Sequence, residues 1–273
     1  MRSWPTLLLL LSLLLPATAW AQAGPAAPEI GVLIERISLA LGGARGGSRV
    51  LDAAPELHFV FERTVRDSTT RQDWTAVHGY AVLPGGRRRL DLRVRGDKGV
   101  DSAAVVDGEA AWVIVDGEAH DLEPAAAEAR MNEFTPARLF SVPLALAAEG
   151  RQILGDAALE VAARVDEGGN ARFILVGGEG EDSVRLEVDA RTYLPLEVAF
   201  KSPSGDVAYR YGRYKEVSKG LVVPFEREFH RNGILVSKTS VTRFKLQGPD
   251  DPALFDRSQV ALKSLDRVTG LAP

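Results

Sequence analysis

The constraint that narrows the fold most is a hydrophobic period of two that recurs along much of the chain. Between Arg87 and Arg95, Leu90, Leu92 and Val94 share one face, while Arg87, Arg89, Asp91, Arg93 and Arg95 share the other. Val184, Leu186 and Val188 oppose Arg185, Glu187 and Asp189 in the same way. The next such row is Leu194, Leu196, Val198 and Phe200, with Glu197 opposite; from His58 to Val65, Phe59 and Phe61 again share a side. Successive side chains of a strand point to opposite faces, so this pattern specifies half-buried strands. Turn residues punctuate it at Asp107-Gly108, Asp116-Gly117, Glu167–Asn170, Gly177–Asp182, Pro203–Gly205, Lys219-Gly220 and Asn232-Gly233. Asp-Gly is a hairpin signal because a type I′ turn needs positive φ at both central residues. Strands at this spacing, with few helices, predict a mainly β (α+β) fold built as one antiparallel meander.

Three segments depart from that period. Ile30, Leu33, Ile34, Ile37 and Leu41 follow the i, i+3, i+4, i+7 spacing of an amphipathic helix over 29–41, ended by Gly42-Gly43. Residues 124–133 read as a short helix and 136–149 as another, kinked at Pro143. A long antiparallel sheet twists and curls, and its apolar concave face must be covered. The three helices either plug that concavity or leave a lined pocket beneath a lid. The 273 residues are enough to bury a sizeable core, and no shift of composition marks a second domain. The sequence therefore predicts one domain over residues 24–273.

Residues 1–23 read as a cleaved signal peptide. Arg2 is the positive start, Leu7–Leu15 is apolar apart from Ser12, and Ala19-Trp20-Ala21 and Ala21-Gln22-Ala23 both fit the small-residue cleavage rule. The apolar run is about half the length that a spanning helix needs. The expectation is a soluble protein of the periplasm. Its net charge of −4 becomes −5 once Arg2 is removed, which argues against nucleic acid as a partner. There is no cysteine. Disulfides, thiolate metal sites, cysteine nucleophiles and acylation of an N-terminal cysteine are thereby excluded.

Little catalytic equipment is left. His58, His78, His120 and His230 lie at least 20 residues apart and form no H-E-x-x-H or related ligand pair. No Gly-x-Ser-x-Gly elbow occurs. The glycines between Gly42 and Gly47 lack the Lys-Ser/Thr of a phosphate loop. Glu179, Glu181 and Asp182 lack EF-hand spacing and read as a solvated hairpin tip. We expect no enzyme, no metal and no cofactor.

Two sets of side chains remain as binding candidates. The row Arg87, Arg89, Arg93 and Arg95 suits an anionic contact, such as a lipid headgroup, a membrane-associated surface or an acidic periplasmic protein. The same row also reads as a solvated outer face that discourages edge pairing. Phe59, Phe61, Trp112, Leu186, Val188, Leu196, Val198 and Phe200 are candidates to line an apolar concavity, and equally to form an ordinary core. An acyl chain of about 14 methylenes, at 0.8 kcal/mol each, would gain roughly 11 kcal/mol gross there, so such a site needs no polar motif.

The order of elements also resembles a known superfamily, the periplasmic lipoprotein carriers and outer-membrane lipoprotein-sorting proteins (LolA/LolB-like). The resemblance rests on Ala40-Leu41-Gly42-Gly43 at a helix end, Pro84 before Arg88 and Arg89, and Asp107-Gly108 ahead of Trp112. It continues with Val188-Asp189-Ala190-Arg191-Thr192-Tyr193-Leu194-Pro195. It ends with Tyr214, Gly220-Leu221-Val222-Val223-Pro224, Asn232-Gly233 and Asp251-Pro252-Ala253-Leu254-Phe255. It spans roughly residues 29–258 and brings no catalytic residues. It implies a curved antiparallel sheet forming an incomplete barrel, lidded by helices, with an apolar cavity for a lipid or lipoprotein acyl chain. The leading expectation is thus an exported binder of an acyl chain, in lipid or lipoprotein transport or sorting to the outer membrane. The alternative is a protein–protein interaction module with a plugged concavity.

Overall fold

The alternating segments pair as strands, and one pairing between the first and the last of them organises the rest. A computed structural model describes residues 25–43, 51, 53–95, 101–115, 118–146, 160–165, 169–177, 183–218, 220–248 and 252–257. The signal segment, the loop after Gly43, the acidic tip at Glu179, Glu181 and Asp182, the Asp116-Gly117 turn and residues 147–149 lie outside them. The chain runs α1 (Ile30–Leu41), β1 (Leu57–Arg66), β2 (Asp73–Val82), β3 (Arg88–Arg95), β4 (Asp101–Asp107), β5 (Ala110–Val115) and β6 (Glu118–Asp121). Then come α2 (Pro124–Asn132), α3 (Pro136–Leu139) and a helical stretch at 141–146. The second half is β7 (Glu160–Val165), β8 (Ala171–Gly177), β9 (Val184–Asp189), β10 (Pro195–Ser202), β11 (Gly205–Gly212), β12 (Lys215–Ser218), β13 (Leu221–Val223), β14 (Glu226–Arg231) and β15 (Ile234–Lys245).

Among the described residues, thirteen of these strands form one curved antiparallel sheet in the order β6-β5-β4-β3-β2-β1-β15-β14-β11-β10-β9-β8-β7. Its two ends, β6 and β7, do not pair with each other, so the barrel is incomplete. The expected single meander is in fact two. Residues 124–146 carry the chain from one edge of the sheet toward the other, and the halves join where β1 pairs with β15, Phe59 opposite Phe244. Neighbouring strands in sequence attract no such long-range pairing by themselves, so period and turn signals do not reveal it.

The hairpins follow their turn chemistry. Asn232 (φ 50°) and Gly233 (φ 75°) form the two-residue loop between Arg231 and Ile234, the positive pair of a type I′ turn. At Asp107-Gly108 the expected register is off by one: Asp107 already pairs with Ala110, and Gly108 (φ 63°) leads a Gly-Glu loop of the II′ kind.

Two apolar clusters lie on the concave face. The first packs Met131 of α2, Leu139 of α3, Phe140 and Leu144 onto Phe59 and Phe61 of β1, Tyr80 of β2 and Val241 of β15. The second packs Leu33, Ile34, Ile37 and Leu41 of α1 onto Phe173, Leu186, Val188 and Val198. The helical residues are those that the 3.6 period places on one face. On the back of the first half, a third cluster joins Val105, Trp112 and Ile114 to Phe255 of the turn Pro252–Phe255.

One close approach fixes α1. It ends in Gly42 in the left-handed region (φ 86°), whose N–H donates to Leu39 O. A Cβ at Gly42 would lie 1.7 Å from the carbonyl oxygen of Gly220, just before β13. Gly85 has the same φ of 86° with open space around it. In urea unfolding, Gly42→Ala is therefore expected to cost ~2 kcal/mol or more, and Gly85→Ala about 1 kcal/mol. Equal costs would show that the α1–β13 contact is not tight.

Candidate functional site

A cleft of about 520 Å³ opens where the helical segment meets the sheet. Its floor is Leu57 of β1 with Tyr80 and Val82 of β2, and Leu51, Ala54 and Pro55 close one side. Asn132, Thr135, Pro136 and Ala137, from the junction of α2 and α3, form the roof. Gly85 and Gly86 of the β2–β3 turn and Arg88 stand at its rim. Leu51, Leu57 and Tyr80 also belong to the cluster around Phe59, so the cleft is an extension of the core. The volume lies within the range of small-molecule sites, and polar and apolar surface share the lining about equally.

The roof is held by its own caps and by two side chains from the sheet. Thr135 caps α3, its hydroxyl oxygen accepting from Arg138 N at 3.2 Å. Arg88 of β3 bonds Glu128 of α2 across the cleft mouth. Arg227 of β14 donates through Nη1 to the Leu139 carbonyl at 2.7 Å, satisfying a helix-end acceptor. Two polar links of this kind, Arg88–Glu128 and Arg227–Leu139, connect the junction to the strands, beside the apolar packing of Met131, Leu139 and Phe140 on the sheet.

The structure divides the predicted lining residues. Phe59 and Phe61 are fully buried on the concave face, ring centroids 5.1 Å apart, and Phe140 meets Phe59 edge-on at 6.0 Å. Leu186, Val188 and Val198 lie under α1, with Phe200 at the margin of that cluster. Trp112 does not join them. It faces the back of the sheet among Val105, Ile114 and Phe255, because Ala111 and Val113 occupy the concave positions of β5. Leu196 falls at the register shift between Pro195 and Glu197, where the alternation breaks.

The arginine row is likewise not a uniform solvated face. Arg89 is 1% exposed on the back of the sheet, and its Nε and Nη2 hold the two Asp91 oxygens at 2.5 and 2.9 Å. A charge this deep requires such a bidentate partner. Arg87 lies over the Phe255 ring at 5.9 Å, and Arg93 is half-buried. The Arg95 side chain lies outside the described residues.

The histidines do not converge. His58 and His78 occupy opposite faces, His120 is exposed on β6, and His230 meets Glu228 at 3.1 Å. Among the described residues no three His, Asp or Glu side chains come together as a metal site. His78 is stacked between Phe61 and Phe134, each at 4.7 Å. Sequence reasoning missed Leu51, Leu57, Tyr80 and Arg88 as cleft residues. Of these, only the parity of Leu57 with Phe59 was a usable signal.

No family model matches the chain, and no curated protein matches it. Among solved structures it is similar to an outer membrane lipoprotein-sorting protein domain from Vibrio parahaemolyticus, 11% identical over 81% of this chain and 97% of that one, with a TM-score of 0.41. It is also similar to a LolA superfamily protein from Nitrosomonas europaea (12% identical, 82% and 96% covered, TM-score 0.39). A third is a DUF1329 family protein from Desulfovibrio piger (11%, 83% and 98%, TM-score 0.40).

Burial, and secondarily the charge of Arg63, pushes the pKa of His78 from 6.5 down to about 4. The unfolded chain binds this proton near pH 6.5 and the folded one does not. Stability is thus intact above pH 6.5 and falls as pH drops from 6.5 toward 4, by about 3 kcal/mol in total. Urea unfolding of His78→Phe, which keeps the stack, should show about 2–3 kcal/mol less loss than the parent between pH 7 and 4.5. Equal losses would mean that His78 does not carry this sensitivity.

Proposed function

We propose that this chain is an exported, periplasmic carrier, not an enzyme, that holds one acyl chain of a lipid or lipoprotein in the cleft between its helical lid and the sheet. The observation that carries this reading is the continuity of the cleft with the core. Leu51, Leu57 and Tyr80 wall the cleft on one side and touch the Phe59 cluster on the other. An acyl chain entering past Arg88 meets apolar wall first, and displacement of the α2–α3 junction would extend that wall to Phe59 and Phe61. The ligand's transfer energy comes from apolar burial and needs no directional partner. Opening costs the Arg88–Glu128 and Arg227–Leu139 links, of the order of 1 kcal/mol each for partly exposed groups, together with the apolar packing of Leu139 and Phe140, which the entering chain replaces.

A second reading also has a specific observation behind it. Phe140, Leu144 and Met131 fill the space over Phe59 and Phe61, as a permanent plug would. In that case the chain is a periplasmic interaction module without a ligand.

Uptake of the neutral fluorophore N-phenyl-1-naphthylamine separates the two. A carrier takes up the probe and releases it when a fatty alcohol is added. Ala137→Trp, which fills the roof of the cleft, weakens uptake at least tenfold, about 1.4 kcal/mol, with little change in Tm. No uptake by the parent protein would overturn the carrier reading and leave the plug.

A further inference from the structure

Beyond the lid, among the described residues, the concave face carries half-buried and exposed side chains that differ in kind from those of the cleft. Arg63 of β1 and Arg227 of β14 both pair with Thr239 of β15, one from each side. Neighbouring strands are about 4.8 Å apart, so the two arginine Cα atoms stand about 10 Å apart and both side chains rise over Thr239. Thr239 itself is buried. Among the described residues Arg63 makes no hydrogen bond or ion pair. Arg227 has its single bond to the Leu139 carbonyl and lies over the Tyr209 ring at 4.6 Å. Burial and the charge of Arg227 both hold the Arg63 guanidinium below its usual range, with Glu133 the carboxylate that offsets them. Two like charges held together in a partly desolvated place, in a chain of net charge −4, call for an anion.

Next to them runs a row of aromatic rings. Phe229 stacks on Tyr209 at 5.2 Å, Phe200 lies 6.2 Å from Tyr209, and Arg231 lies over Phe229 at 5.6 Å. All three rings are half-buried, and Trp74, on the same face of β2, is 44% exposed. We propose that this floor binds the anionic phosphate headgroup of an amphiphile between Arg63 and Arg227, with its apolar chain laid along the Phe229–Tyr209–Phe200 row. A phosphate accepts paired N–H bonds from guanidinium groups, which is the geometry two facing arginines provide. An acidic peptide fits less well. The strands β1, β15, β14 and β11 are each paired on both sides, so a peptide here finds no free edge for its backbone, whereas an acyl chain has no polar backbone to satisfy.

The inference rests on the lipid-binding reading but lies outside the cleft: it assigns an anionic amphiphile to a second stretch of the same concave face. It is tested on the whole protein with lysophosphatidylglycerol and lysophosphatidylcholine of equal chain length, below the concentration at which either forms micelles. Calorimetry should show the anionic lipid binding at least tenfold more tightly than the zwitterionic one. The preference should shrink at high salt, as for partly exposed charges. Arg63→Gln should abolish it, while N-phenyl-1-naphthylamine uptake stays unchanged, and Arg63→Lys should keep part of it. Arg231→Gln, at an exposed position, serves as the second variant and should reduce the preference severalfold. Equal binding of the two lipids, or a preference untouched by both glutamine variants, would overturn the inference while the carrier reading stands. Competition by inorganic phosphate as strong as by the anionic lipid would overturn it in favour of a free-anion site. Equally tight binding of an acidic dodecapeptide would overturn it in favour of a protein partner. Loss of neutral-probe uptake together with both lipids would overturn both readings.

Discussion

The pairing of β1 with β15 is the interaction on which the rest depends. It joins residues nearly at opposite ends of the described chain, Phe59 against Phe244 and Phe61 against Val241, and converts two separate meanders into one sheet. The centroids of Phe59 and Phe244 lie 5.2 Å apart, and Phe59 also meets Phe61 and Phe140. The long-range contact, the aromatic core and the landing place of the lid are thus the same residue. Loop closure across so long a separation costs more entropy than a hairpin, and the apolar burial at Phe59 offsets it.

The faces of the sheet then divide the chemistry. On the back of the second half, charges alternate across neighbouring strands: Arg172 with Glu187, Arg185 with Glu187 and Glu197, and Arg210 with Glu197 at 2.7 Å. The Arg210 and Arg185 hydrogen bonds outweigh the burial of Glu197 and hold its carboxyl below the usual range. Such cross-strand pairs keep this side wet and leave the concave side to apolar contact. On the back of the first half, Phe255 covers Trp112 and the sheet is buried on both faces. The concave face is covered by α2 and α3 at one end and by α1 at the other, and among the described residues the Arg63–Arg227 line between them is half-buried.

Most of the strands and all three helices were legible in the sequence, because alternation and the 3.6 period are local. What was not legible was non-local or lay where the period fails. Nothing near His58 announces a partner nearly two hundred residues on. Ala111-Trp112-Val113-Ile114 is apolar at every position, so no pattern could say that Trp112 faces the back. Leu196 belongs to a row by counting, but a bulge removes it. Arg89 reads as solvated until Asp91, two residues on and on the same face, is seen to be its partner. Arg63 and Arg227, 164 positions apart, become a pair only once β15 lies between them.

The central claim is that the concavity, partly covered by a helical lid, receives an amphiphile. Native mass spectrometry of the protein purified without detergent tests it most directly. The account predicts a population carrying one bound amphiphile, or an apo protein that gains a single lipid mass when lipid is added. An apo mass alone, unchanged by added lipid, would contradict it.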